Sequence, residues 1–105
     1  MFIAIYQFSV IENKEDQFIT AWKALTELIY RYEGSLGSRL HQQDNQTYIA
    51  YAQWPSKSTW KNAGGNLPEE AQEHRAKMKE ACTEITTIHE LECIEDLLQK
   101  EPYTK

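Results

Sequence analysis

Apolar residues recur along this chain with two periods, and the change from one to the other marks out its elements. Residues 2–11 are rich in β-branched and aromatic side chains, with apolar groups on both faces at the start, as expected of a strand inside a sheet. An amphipathic helix is predicted next, with Asn13 as its cap and an end near Gly34. Its apolar positions are spaced by four and three: Phe18, Trp22, Leu25, Ile29 and Tyr32.

A hairpin is predicted after this helix. Residues 38–43 mix polar and apolar side chains over the length of a strand, and residues 44–46 supply turn formers. Residues 47–54 are aromatic and β-branched, and Pro55 stops them, so the two strands should pair antiparallel.

Two further helices and a last strand are predicted in the second half of the chain. Ser56 can cap a short helix that carries Trp60, and Pro68 opens a longer helix after a glycine-containing break. The inward positions expected for that longer helix are Ala71, His74, Met78, Ala81 and Ile85. Residues 86–94 favour a strand, and a helical turn is expected in the tail from residue 95.

The predicted order is strand, helix, strand, strand, helix, strand, which is the split βαβ arrangement of the ferredoxin-like α+β fold with a four-stranded antiparallel sheet. We expect one domain over residues 1–105, with its core in 2–94 and a tail in 95–105. Two helices can cover only one face of that sheet, whereas its inner strands offer large apolar groups on both faces. The sequence therefore predicts a homodimer formed through the second sheet face.

Composition narrows the classes of function. The formal net charge is -5 and basic residues are scattered, which argues against nucleic-acid binding. Apolar runs are too short to span a membrane, and the two cysteines show no metal or disulfide spacing, so a cytoplasmic protein with two buried thiols is expected. The three histidines lack zinc spacing, so no metal site is predicted.

The segment from Glu33 to Leu40, followed by a hairpin that ends in the run Tyr51-Ala-Gln-Trp-Pro-Ser-Lys-Ser-Thr-Trp60, resembles the signature of the antibiotic biosynthesis monooxygenase family. The resemblance implies a dimeric α+β barrel with a pocket between sheet and helices in each subunit. It also implies an oxygenase that needs no cofactor and oxidises a small phenol- or quinol-like aromatic. Two alternatives stay open: a non-catalytic, stress-related or ligand-binding dimer, and a heme-binding or heme-degrading protein.

The candidate site residues follow partly from that resemblance. Heme-degrading relatives carry an asparagine on strand one, a tryptophan and a histidine. By position, the resemblance implies that Gln7 corresponds to the asparagine and His74 to the histidine. The tryptophan position falls near Ala63, and Trp60 lies about one turn earlier. His74 could act as a general base or remain a hydrogen-bonded core histidine. Trp22 and Trp60 could stack on a planar substrate or fill the core. Side chains that could bind a substrate oxygen complete the set: Tyr51, Arg39 and His41.

Overall fold

Four strands and three helices make up the computed structural model, which describes residues 1–104. The elements, in chain order, are β1 (Phe2–Val10), α1 (Glu15–Tyr32), β2 (Ser38–Gln42), β3 (Thr47–Trp54), α2 (Lys57–Lys61), α3 (Ala71–Glu80) and β4 (Cys82–Glu92). The strands form one antiparallel sheet in the order β2-β3-β1-β4. This confirms the predicted ferredoxin-like α+β fold.

The core lies on the sheet face that the helices cover. Even-numbered β1 residues point to this face, where Phe8 packs against Phe18 of α1 and Phe18 packs against Tyr48 of β3. Phe2 and Trp54 form a second group, against which Trp60 of α2 packs. Residues of odd number on β1, β2 and β3 point to the opposite side, called the open face below.

Three of the predicted element ends are confirmed. The Ser56 hydroxyl accepts a hydrogen bond from the Thr59 backbone N–H at 3.2 Å, so Ser56 caps α2 as expected. Gly34 has φ +77°, the left-handed conformation that closes α1 two residues after Tyr32. Strand β3 ends at Trp54, immediately before Pro55.

The start of α1 and the junction between α3 and β4 were wrongly predicted. Asn13 has φ +73° and precedes Lys14, the residue at the cap position, so Asn13 makes the left-handed turn and does not cap the helix. Helix α3 ends at Glu80 and β4 begins at Cys82, so Ile85 lies in the strand. The run of β-branched residues from Thr83 to Ile88 outweighs the weak helical spacing there.

The C-terminal segment after β4 crosses the open face without forming the expected helical turn within residues 93–104. Residues 93 and 95–98 border a groove there together with Arg39, His41, Tyr51 and Gln53. The apolar side chains of this segment stay largely in solvent, with Ile94 89% exposed and Leu97 83% exposed. No helix within the described residues has the length and apolarity needed to cross a membrane.

Candidate functional site

A cavity of about 210 Å³ lies between the covered face of the sheet and the helices α1 and α3; we call it the sheet–helix cavity. Every strand contributes to its wall, as do α1 and α3. The lining residues are Tyr6, Phe8, Trp22, Leu25, Thr26, Ile29, Ser35, Ser38, Ala52, Trp54, Arg75, Met78 and Ile85. Most of these side chains are apolar or aromatic, which is typical of sites for small organic molecules.

The phenol of Tyr6 is the polar group with the most defined chemistry on this wall. Its oxygen accepts a hydrogen bond of 2.6 Å from Trp60 Nε1, and Trp60 is held in turn by packing against Phe2. Trp60 can only donate, so the proton of the Tyr6 hydroxyl is left for another acceptor. Within residues 1–104 the Tyr6 hydroxyl donates no hydrogen bond.

Burial raises the pKa of Tyr6 above its ordinary value of 10.0; the hydrogen bond from Trp60 lowers it in part, and the charge of Glu90 raises it. The hydroxyl therefore keeps its proton at neutral pH. The hydroxyl thus remains able to donate a hydrogen bond, and Tyr6 is one of the residues that line the cavity.

Other polar groups at the cavity are mostly engaged in holding the backbone. Ser35 Oγ accepts from the Gly37 N–H at 2.9 Å, and Ser38 Oγ donates to the Tyr51 carbonyl at 3.0 Å. Two groups are free within residues 1–104. Trp54 Nε1 is buried without a hydrogen-bond partner, and the Arg75 guanidinium makes neither an ion pair nor a hydrogen bond.

A buried carboxylate fixes the loop between α2 and α3. Glu33, only 6% exposed, follows the last residue of α1. It accepts hydrogen bonds from the Gly64 N–H and from Nδ2 of Asn66, the latter at 3.1 Å. These contacts set where the chain enters α3 and thus where Arg75 meets the cavity.

The structure brings together only some of the residues singled out from the sequence. Trp22 lines the cavity, and Trp60 reaches it through Tyr6. His74 is half-buried on α3, but the neighbouring Arg75 is the residue that lines the cavity. The orientation of α3 therefore places Arg75 at the cavity wall, where His74 was expected.

Four predicted residues lie on the open face, away from the cavity. Gln7 sits between Tyr6 and Phe8, so strand alternation points its side chain to the other side of the sheet. Arg39 pairs with Tyr51, and His41 with Ile49, which places their side chains on that same side. Arg39, His41 and Tyr51 border the groove along the C-terminal segment, and none of the four residues lines the cavity.

Tyr6 was missed because strand β1 is apolar on both faces, so that its sequence does not show which of Tyr6 and Gln7 points toward the helices. The sequence holds no spacing signal that separates the two faces, because Phe2 and Phe8 on one face and Ile3 and Ile5 on the other are all apolar. A metal site is not indicated: within residues 1–104 no three metal-binding side chains are grouped together.

The chain matches the sequence model of a known protein family. The family model described as antibiotic biosynthesis monooxygenase matches residues 1–79, three quarters of the chain. The chain belongs to the antibiotic biosynthesis monooxygenase family. Among curated proteins, none matches it significantly.

Solved structures share its fold at low sequence identity. SnoaB, a cofactor-independent oxygenase from Streptomyces nogalater, superimposes with a TM-score of 0.72 at 14% identity, covering 93% of this chain and 97% of SnoaB. A candidate family member from Nitrosomonas europaea gives 0.73 at 15% identity, covering 90% and 100%. One from Bordetella bronchiseptica gives 0.70 at 19% identity, covering 90% and 97%. These likenesses establish the fold of the family across almost the whole chain.

Proposed function

We propose that this protein is a cofactor-independent monooxygenase that oxidises a small phenol-like aromatic in the sheet–helix cavity. The observation that carries the proposal is the Tyr6 hydroxyl, held at 2.6 Å by Trp60 with its own proton free, on the wall of an apolar cavity. Membership of the monooxygenase family and the likeness to SnoaB, itself described as a cofactor-independent oxygenase, support it.

The size of the cavity bears on the substrate. At about 210 Å³ it lies below the range of about 300–1,000 Å³ found for typical ligand pockets, which favours one or two fused rings. Trp22 and Trp54 offer flat apolar faces for such a ring system. A porphyrin would need a larger space, and His74 does not line the wall, so the cavity does not fit heme.

The chemistry balances without a cofactor when the substrate supplies all electrons. A phenol such as 1-naphthol binds as its anion and transfers an electron to dioxygen, and the ring carbon opposite the phenol oxygen then forms a bond to oxygen. That carbon loses its hydrogen and becomes a carbonyl. One oxygen atom stays in the quinone, and the second leaves as water with that hydrogen and the phenol proton.

In this reaction the chain stabilises the anion and excludes water. The Tyr6 hydroxyl donates a hydrogen bond to the phenolate oxygen, and because the indole of Trp60 already occupies one side of the Tyr6 oxygen, little reorganisation is needed. The apolar wall strengthens this hydrogen bond and limits competing solvent.

Oxygen consumption with 1-naphthol, together with ¹⁸O incorporation into naphthoquinone from ¹⁸O₂, tests the proposal. We expect Tyr6→Phe to lower kcat/KM by about 100- to 1,000-fold, the loss typical of one donor to a developing charge. Tyr30→Phe is the matched control, since Tyr30 is an exposed residue of α1 that does not line the cavity. Binding of naphthol without turnover would instead indicate the non-catalytic, ligand-binding alternative.

The roles predicted for Gln7 and His74 remain hypotheses that the same assay tests. If Gln7→Ala or His74→Ala abolished turnover while Tyr6→Phe retained it, the reaction would take place outside the sheet–helix cavity. The open-face residues Arg39, His41 and Tyr51 would then be the substrate contacts to examine.

We further propose that two copies pair through the open face of the sheet. Ile5 and Ile49 lie on that face, and Leu91 of β4, paired with Ile3, joins them with 47% of its side chain exposed. Burying apolar area of this kind contributes about 25 cal/mol per Å², which favours association. Sedimentation at low micromolar concentration should show the mass of two chains, and a stable single chain would contradict the pairing.

A further inference from the structure

Arg75 occupies a position on α3 where the pattern calls for an apolar residue. Ala71, Arg75 and Met78 are spaced by four and three on the inward side of the helix, and Ala71 is buried while Met78 lines the cavity. The other cations of α3 differ from it. Lys77 pairs with Glu73 at 3.3 Å, and Lys79 is exposed to solvent.

The guanidinium of Arg75 has no protein anion to bind within residues 1–104. The carboxylates nearest in sequence on α3 are engaged elsewhere, Glu73 with Lys77 and Glu80 with Lys14 at 3.5 Å. A half-buried arginine beside an apolar wall normally pairs with a carboxylate or phosphate, because its planar donors match two oxygens at once.

We propose that Arg75 binds an anionic oxygen of the substrate, so that the aromatic taken up by the sheet–helix cavity carries a carboxylate or a phenolate. The inference rests on the proposed function for the cavity as the substrate site. With a net charge of -5, the chain as a whole repels such a ligand, so its capture needs a local cation. Arg75 supplies this cation.

A structural role for Arg75 makes a different prediction. Its aliphatic stem could simply cover apolar surface while the charge stays in water. Arg75→Met keeps a stem of similar length and removes the charge, and Arg75→Lys keeps the charge but loses the two-oxygen geometry. Lys79→Met removes the same charge from an exposed position of the same helix and is the matched control.

The experiment is isothermal titration calorimetry of the full chain with two pairs of ligands. The carboxylate arm compares 1-naphthoate with the neutral 1-naphthamide. The phenolate arm compares 4-nitrophenol below and above its own pKa. We expect the anionic member of at least one pair to bind about 10- to 100-fold more tightly than its neutral partner, and the arm that shows this preference identifies the anion.

Arg75→Met should abolish that preference while leaving the affinity for the neutral ligand unchanged, Arg75→Lys should retain part of it, and Lys79→Met should retain it fully. Equal binding of charged and neutral ligands by the wild type, equal losses for both in Arg75→Met, or no binding in either arm would overturn the inference. Turnover of naphthol is measured separately. Turnover without charge preference would refute only the role of Arg75, and charge preference without turnover would refute only the oxygenase.

Discussion

The hydrogen bond between Trp60 Nε1 and the Tyr6 oxygen is the contact on which the proposed chemistry depends, and its strength can be measured. At 2.6 Å between partly buried groups, it should contribute about 1 kcal/mol to the free energy of unfolding. For a domain of this size that corresponds to about 4–8 °C in Tm. Trp60→Phe removes the donor but keeps a ring beside Phe2.

A double-mutant cycle isolates this contact from the loss of indole volume. Unfolding by urea is measured for the wild type, Trp60→Phe, Tyr6→Phe and the double variant, and we expect a coupling energy of about 1 kcal/mol. Trp54→Phe provides a comparison with Trp60→Phe, because it removes an indole N–H that is buried without a hydrogen-bond partner. Its loss therefore relieves an unsatisfied donor and breaks no hydrogen bond. A coupling energy within about 0.3 kcal/mol of zero would refute the assigned contact.

The same variant tests the electrostatics of the phenol. Burial raises the pKa of Tyr6 and the N–H of Trp60 lowers it in part, so Trp60→Phe should raise that pKa further. Titration of phenolate absorbance in the wild type and the variant, with Tyr6→Phe to identify the signal, measures the change. A Tyr6 pKa that falls or stays constant in Trp60→Phe would contradict the hydrogen-bond assignment.

Three further predictions concern the thiols, the buried carboxylate and the open face. Burial raises the pKa of Cys82 from 9.0 to about 11, so at about pH 8 iodoacetamide should label Cys93 before Cys82 in the folded protein. Unfolding by urea should speed the labelling of Cys82 about 100-fold. Equal labelling rates for the two thiols in the folded protein would contradict this. Glu33→Gln should lower the free energy of unfolding by about 1–3 kcal/mol and speed hydrogen exchange in the loop of residues 64–66, because the amide cannot accept all three bonds equally well. Unchanged exchange in that loop would show that the carboxylate does not hold it. Ile5→Asp should convert the proposed dimer to single chains in sedimentation without loss of helix by circular dichroism, since the charge falls on the open face.

The fold could be predicted from the sequence because local signals and element order agree. Strand β3 is bounded by a turn and a proline, and the α2 cap is a serine followed by a helix of the expected position. The α3–β4 junction was misplaced, because Ala81 and Ile85 continue the helical spacing of α3 although residues 83–88 are mostly β-branched. Packing of β4 along the whole of β1 decides the matter.

The cavity could be predicted in kind but not in detail. On β1 the cavity is lined by Tyr6 and not by its neighbour Gln7, and on α3 by Arg75 and not by its neighbour His74. On a strand that is apolar on both faces, sequence parity does not say which face meets the helices. On α3 the low apolar content leaves the inward direction poorly defined, so only contacts with α1 fix it.

The attachment of the Gly64–Asn66 loop to Glu33 has a consequence for how this site could diversify. The carboxylate anchors the far end of α1 to the approach of α3, so the loop acts as a spacer between two walls of the cavity. Lengthening or shortening the loop would shift Arg75 against Trp22 while every lining residue stayed the same. Related chains could thus acquire different substrates through insertions that no comparison of cavity residues would reveal.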